Sequence, residues 1–400
     1  MERTSHLPTG LVSASCAATK ISAIKEMSIL SARVSGAASL AWGLPSFPTP
    51  APVREAVGKA LSEDPKIGMY TLPAGLPEFR EAVARDHLRR TGVPADPERH
   101  IAATAGNMEG INTLFQVLLD PGDEVVLTDP GFVSHIQQIR FHGGVPVFWP
   151  MNEARGWELD TASLDGLLGP RTKAILLVNP SNPTGRVLSE QTLRKVVAIA
   201  RERAVLIILD DPYSAFVHDD PESFFSLASV GEVADLLAYF FTFSKVHAMS
   251  GWRVGYAVVP ENLRDEMVKI HDMNMICTPR ISQVAAIAAL DGDKAHLAEF
   301  RTRLKARRDL ICERLDRLTH VFSFARPQGA YYVFPRILVP THSDIVFAHD
   351  LLRQARVTVT PGSAFGPSGA GHVRMAYCVG EDVINLAFDR MERHFGVEEA

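Results

Sequence analysis

Lys245 lies in the run Thr242-Phe243-Ser244-Lys245, and Arg253 follows eight residues later. One amine thus stands beside two hydroxyls, with a guanidinium close behind. A lysine that forms an imine with an aldehyde needs a free amine in an apolar setting. The hydroxyls of Thr242 and Ser244 and the fork of Arg253 can meanwhile hold a phosphate. The plainer alternative is a surface lysine and an arginine in a structural ion pair. Tyr239-Phe240-Phe241 on one side and Trp252 on the other make a solvated face a poor fit for Lys245.

Four further groups could share that chemistry. Asn179-Pro180-Ser181-Asn182-Pro183-Thr184-Gly185 reads as a rigid turn, or as a loop that aims the Asn182 amide into a crevice. Asp210 is followed three residues later by Tyr213. The carboxylate either caps a turn or, buried, pairs with a protonated ring nitrogen. Asp211 is its rival, one residue out of step with the tyrosine. Gly106-Asn107-Met108 opens an apolar helical stretch, so it is either an ordinary helix start or an anion site built from backbone N–H groups. Arg374, in His372-Val373-Arg374-Met375-Ala376, is either an edge-strand arginine facing water or a fork for a carboxylate.

Apolar runs that stop at polar residues must position these groups. Glu124–Thr128, Ala174–Val178 and Val205–Leu209 are short strands. The first ends at Asp129-Pro130, the second at Asn179-Pro180 and the third at Asp210-Asp211. Strands apolar on both faces belong in a covered, mostly parallel sheet. Leu193, Val196, Val197 and Ala200 mark a helix between the second and third strands, with Ser189 as N-cap. Strand, helix, strand is a βαβ unit, and its ligand crevice lies outside the carboxyl ends of the strands. Lys294–Leu318 reads as a long helix, and Ala330–Phe334 and Arg356–Thr360 read as strands of a smaller α+β domain. About the first 30 residues carry little pattern and suggest an arm.

At 400 residues the chain calls for two domains. The division expected is an N-terminal arm or part of the small domain at 1–42, a large domain at 43–291 and a small domain at 292–400. A net charge of −5 without a basic block argues against nucleic acid or an anionic membrane as partner. Cys16, Cys277, Cys312 and Cys378 are scattered, as reduced thiols of a cytoplasmic protein would be. The histidines form no metal-binding spacing, so no metal is expected. Met1–Pro8 carries no secretory pattern, and no apolar run could cross a bilayer.

Taken in order, these motifs resemble the fold-type I pyridoxal-phosphate enzymes of the aspartate aminotransferase superfamily, the class I/II aminotransferases. The resemblance runs from about Leu40 to the C-terminus. It adds Gly43-Leu44-Pro45 to Pro50 and Tyr70 with Pro73 and Gly75 to the groups above. It implies an α/β fold: a large domain with a mostly parallel seven-stranded sheet flanked by helices, and a smaller α+β domain. It implies an aminotransferase that passes an amino group from an L-amino acid to a 2-oxo acid in ping-pong fashion through a Lys245 Schiff base. By resemblance, Asp210 pairs with the ring nitrogen, Asn182 and Tyr213 bond the ring oxygen, and Phe132 stacks on the ring. Gly106, Asn107, Met108, Thr242, Ser244 and Arg253 hold the phosphate. Tyr70 reaches the phosphate of a neighbouring subunit, which implies a homodimer. Gly43, Asn182 and Arg374 receive the substrate. A lyase or cyclising enzyme of the same fold shares every one of these motifs. A ligand-sensing regulator would need a DNA-binding segment ahead of Leu40, where no recognition-helix pattern is present.

Three positions depart from the family pattern: Asn107 for a small residue, Val246-His247 after the lysine, and Asp211-Pro212 before the tyrosine. They leave the substrate open, since His247 and the loop near Phe132 can border the pocket. Arg280 and Arg140 are the candidates for a second substrate-binding arginine.

Overall fold

The computed structural model describes residues 10–396. Its centre is an eight-stranded sheet. From one edge the strands run Ile101–Thr104, Gly255–Val258, Leu237–Thr242, Leu206–Asp211, Thr172–Val178, Glu124–Asp129, Val145–Asn152 and Glu158–Leu159. The five from Leu237–Thr242 to Val145–Asn152 are mutually parallel. Gly255–Val258 is antiparallel to both neighbours, and the two-residue Glu158–Leu159 is antiparallel at the far edge. The sheet is therefore mixed, and it has one short strand more than the seven expected.

The apolar runs become central strands because helices cover both faces. Ala174 to Val178 are all buried, as are Ile207 to Asp211 and the whole of Leu237–Thr242. The helix Glu190–Arg203 begins where Ser189 accepts the Thr192 N–H and ends at Ala204 in the left-handed region. Its buried stripe is Leu193, Val196, Val197 and Ala200. Covering the three larger side chains is worth roughly 5–9 kcal/mol, an upper range, since unfolded chains already bury part of that surface. Leu193→Ala would open the stripe at a fully buried point.

A long helix, Ala295–Asp316, leads into the C-terminal part. There Val373–Ala376 is the middle strand of three, with Tyr332–Val333 and Thr360–Pro361 beside it. The strands read at Ala330–Phe334 and Arg356–Thr360 shrink to two-residue pieces, because turns and backbone bridges take over their ends. Before residue 30 the structure departs from expectation. Ala14–Ala18 and Ala23–Ala32 are helical, but only Ile24 and Met27 are buried there, so the periodic signal is thin. Ala38–Ser39 pairs in parallel with Val357–Thr358, which ties the segment ahead of Gly43 to the C-terminal part. Met1–Pro8 lies outside the described residues. No described helix is long and apolar enough to cross a membrane.

Candidate active site

The carboxyl ends of the parallel strands converge on a cavity of about 550 Å³. Val178, Asp210 and Thr242 each reach it from the end of a different strand, and Lys245 follows within one turn. Thr242 starts that turn by accepting the Ser244 N–H (3.2 Å), and its hydroxyl donates to Ser244 Oγ at 2.9 Å. This small cap sets the direction of Lys245, whose Nζ lies 2.6 Å from the Gly43 carbonyl. Burial pulls the amine down to about 8; the Arg374 and Arg253 charges push the same way, and Cys378 and Asp210 oppose them. A lysine so placed releases its proton near neutral pH and becomes a nucleophile.

Arg374 and Asn182 meet across the cavity. The arginine is 1% exposed. Its Nη1 donates to Asn182 Oδ1 (3.0 Å) and its Nη2 to the Ala41 carbonyl (2.6 Å), while the guanidinium stacks 4.5 Å from the Tyr332 ring. No carboxylate of the described residues pairs with it, its Nε has no partner, and burial lowers its pKa. A buried cation held only by neutral acceptors is costly, and a bound carboxylate would offset that cost. The water-facing alternative for Arg374 is thereby set aside. Tyr213 lies beside it, its hydroxyl 3.0 Å from that of Tyr332, and burial raises both phenols, Tyr332 to about 12. Tyr332 also explains Gly43: a Cβ there would come within 1.9 Å of the Tyr332 hydroxyl oxygen.

The other end is an anion cradle. The helix Asn107–Leu118 starts at Gly106 (φ +85), where a Cβ would sit 2.9 Å from Arg253 Nη2. The Gly106 carbonyl takes the N–H groups of Glu109 and Gly110, and among the described residues those of Asn107 and Met108 have no protein partner. Arg253 is fixed over them by Nη2 to the Ala105 carbonyl (2.7 Å) and Nη1 to the Ser250 carbonyl (2.9 Å). Its backbone is left-handed at φ 51, a strained setting that orients the fork.

Twelve of the sequence candidates line this cavity; Gly106 and Tyr70 do not. Gly106 stands behind the cradle, and Tyr70 is 76% exposed on the same chain. The side chain of Asn107 serves another end of the site than its backbone N–H. It points away from the cradle to Asp210, with Nδ2 2.5 Å from Oδ1, because the helix start turns it toward the strand end. Asp211 is set aside as the rival: it accepts from the Tyr239 hydroxyl (2.8 Å) and the Ser214 N–H (3.0 Å), outside the cavity. His247 does not border the pocket either; it is buried against His296 at 3.1 Å and pushed down to about 3, first by burial. Arg280 pairs with Asp64 (2.8 Å), and neither it nor Arg140 lines the cavity.

Sequence reading missed four lining groups. His135 donates from Nε2 to Asp210 Oδ2 at 3.1 Å and meets the Phe132 ring edge-on at 5.2 Å. Its place three residues beyond Phe132, one turn into a helix, was the available signal. Tyr332 was hidden in a run read only as strand. Trp42, next to Gly43, and Lys25, whose ammonium lies 4.1 Å from the Trp42 ring, stand in segments with no motif.

Comparison with known proteins identifies the family and the fold. The sequence profile of the family "Aminotransferase class I and II" matches residues 37–390. The chain is 33% identical over 374 residues to aromatic-amino-acid aminotransferase 2 of Thermococcus litoralis, across 93% of this chain and 95% of that one. It is equally 33% identical over 374 residues to an aspartate aminotransferase of Pyrococcus abyssi, with the same coverage. Among solved structures, alanine aminotransferase from Pyrococcus furiosus superposes with a TM-score of 0.90 at 31% identity, over 97% of this chain and all of that one. The chain belongs to the aminotransferase class I and II family. It is an aminotransferase, and the fold is the one its relatives share.

Proposed function

We propose that the enzyme moves the amino group of an L-amino acid to a 2-oxo acid in two half-reactions, with pyridoxal 5'-phosphate carried on Lys245. The observation that carries this reading is the amine of Lys245, held in one cavity with Asp210, Arg374 and the cradle at Gly106. The residues fit the cofactor. Three cationic side chains besides Lys245, those of Lys25, Arg253 and Arg374, face Asp210, the one carboxylate that lines the cavity among the described residues, which favours anionic company: a phosphate and a carboxylate. Phe132 offers a ring to stack on, and the free N–H groups of Asn107 and Met108 with Ser244 and Arg253 offer phosphate donors.

When bound, the cofactor supplies an aldehyde for the lysine and a protonated ring that accepts electrons from the substrate Cα. Arg374 grips the substrate α-carboxylate and, with Asn182, fixes its orientation. Lys245 Nζ, with a pKa about 8, takes the proton from Cα as a general base and returns it later. Asp210 holds the positive charge at the ring nitrogen, and Asn182 and Tyr213 serve the ring oxygen. The apolar walls exclude water and strengthen each contact.

We also propose a homodimer with shared sites. Met69, Tyr70 and Leu72 are 62%, 76% and 61% exposed, more apolar surface than one segment of a monomer usually shows. Tyr70 is the residue assigned to the partner's phosphate. The domain division at 42 and 291 and a cytoplasmic home for the four unpaired cysteines belong to the same proposal. Single amino acids mixed with enzyme and 2-oxoglutarate test the reaction. Glutamate release is expected; ammonia or pyruvate formed without an acceptor would mean a lyase instead.

A further inference from the structure

We infer that Asn107 is a positioning residue for Asp210, so that one residue ties the phosphate cradle to the opposite end of the cofactor site. This rests on the assignment of Asp210 to the ring nitrogen. Asn107 Nδ2 lies 2.5 Å from Asp210 Oδ1 and 3.3 Å from the Phe240 carbonyl. Both partners are acceptors, which fixes the amide with its nitrogen toward them. His135 Nε2 meets the other oxygen, Oδ2, at 3.1 Å. Each carboxylate oxygen thus has one protein partner and keeps a lone pair for a further donor. Asn107 is 8% exposed, so its bond to the carboxylate is made away from water, where charged hydrogen bonds are strong.

The backbone of the same residue belongs to the cradle. Asn107 is the first residue of its helix, and its N–H, like that of Met108, has no protein partner among the described residues. A shift of the helix start therefore moves the phosphate donors and the Asp210 clamp together. A small residue at position 107 would keep the cradle and lose the clamp. Removing the amide leaves a buried carboxylate with a single donor, which makes it a stronger base. With the cofactor bound, Asp210 would then compete more strongly for the ring proton, and the amine of Lys245 would hold its own proton more tightly on its link to the cofactor.

The test compares wild type, Asn107→Ala and Asn107→Asp, each reconstituted with pyridoxal phosphate. Three quantities are read: the pH midpoint of the visible band, the single-turnover rate with an amino acid, and competition by inorganic phosphate during reconstitution. In Asn107→Ala the midpoint should rise by about one pH unit and the half-reaction should slow roughly tenfold. Phosphate competition should stay within about twofold, since the N–H remains. Asn107→Asp keeps the shape, removes the donor and adds a like charge, so its midpoint should rise further. An unmoved midpoint in both variants would overturn the inference, as would a midpoint unmoved in Asn107→Asp alone, since shape rather than the donor would then suffice. A wild type with no visible band would instead remove the cofactor reading beneath it.

Discussion

Arg374 shows how a residue's surroundings select its role. Its side chain is buried against Tyr332 and Phe365, bonded to Asn182 and the Ala41 carbonyl, and faces no carboxylate of the described residues. A guanidinium arranged this way is poised for an anion from solution. Arg374→Ala should lower kcat/KM by about 3 kcal/mol, a factor in the low hundreds, for an amino acid bound through its α-carboxylate. Unaltered kcat/KM would contradict that role. Much of this was legible from types and order alone: Lys245, Asp210, Asn182, Tyr213, Arg253 and Arg374 all line one cavity. The reach of the Asn107 amide was not legible, because the loop pattern speaks of its backbone, while the target of the amide, Asp210, is 103 residues away in sequence. His135, Tyr332, Trp42 and Lys25 escaped for the same reason, since their neighbours in the cavity come from distant strands and helices.

Short elements deliver these side chains, and among them the turn at Gly106 has little freedom. Its φ of +85 suits glycine, and a Cβ would lie 2.9 Å from Arg253 Nη2. Gly106→Ala should displace Arg253 and weaken affinity for pyridoxal phosphate by at least tenfold, while affinity for pyridoxal, which lacks the phosphate, changes much less. Fluorescence titration of the apoprotein would show it, and equal losses for both compounds would argue for general misfolding. At this scale the sequence was most readable where apolar runs stop at polar residues. The end of Thr172–Val178 was expected to the residue, as was the helix start after Ser189, while Leu206–Asp211 runs two residues past the expected Leu209. The C-terminal strands were read too long, because two-residue ladders leave little alternation to detect. The helix Ala23–Ala32 was not expected, because its partner surface comes from residues more than 300 positions on, such as Thr358, whose hydroxyl meets Ser31 at 2.8 Å.

For the whole molecule, buried histidines set the acid limit. Burial is the first cause that pushes His87 and His218 down to about 4 and His247 to about 3. These imidazoles stay neutral in the fold, whereas in the unfolded chain they charge below about pH 6.5. The unfolded state then binds more protons, so stability is full above pH 6.5 and falls as pH drops toward 4. At pH 5 each would cost on the order of 2 kcal/mol. Unfolding midpoints measured from pH 7.5 to 5 should therefore decline, and His87→Phe should flatten the slope; an unchanged slope would show that His87 does not contribute. Assembly is the other property at this scale. Sedimentation should give twice the 43.8 kDa of one chain, and Tyr70→Phe should loosen cofactor binding without splitting the dimer. A monomer at micromolar concentration would contradict the shared-site proposal.

The most direct measurement concerns the amine at position 245. Reconstituted enzyme is treated with borohydride, digested and mapped by mass spectrometry. A pyridoxyl phosphate adduct on the peptide carrying Lys245, a visible band lost on reduction, and neither signal in Lys245→Ala are the expected results. An unmodified Lys245 in a protein that remains colourless with excess pyridoxal phosphate would contradict the account at its root.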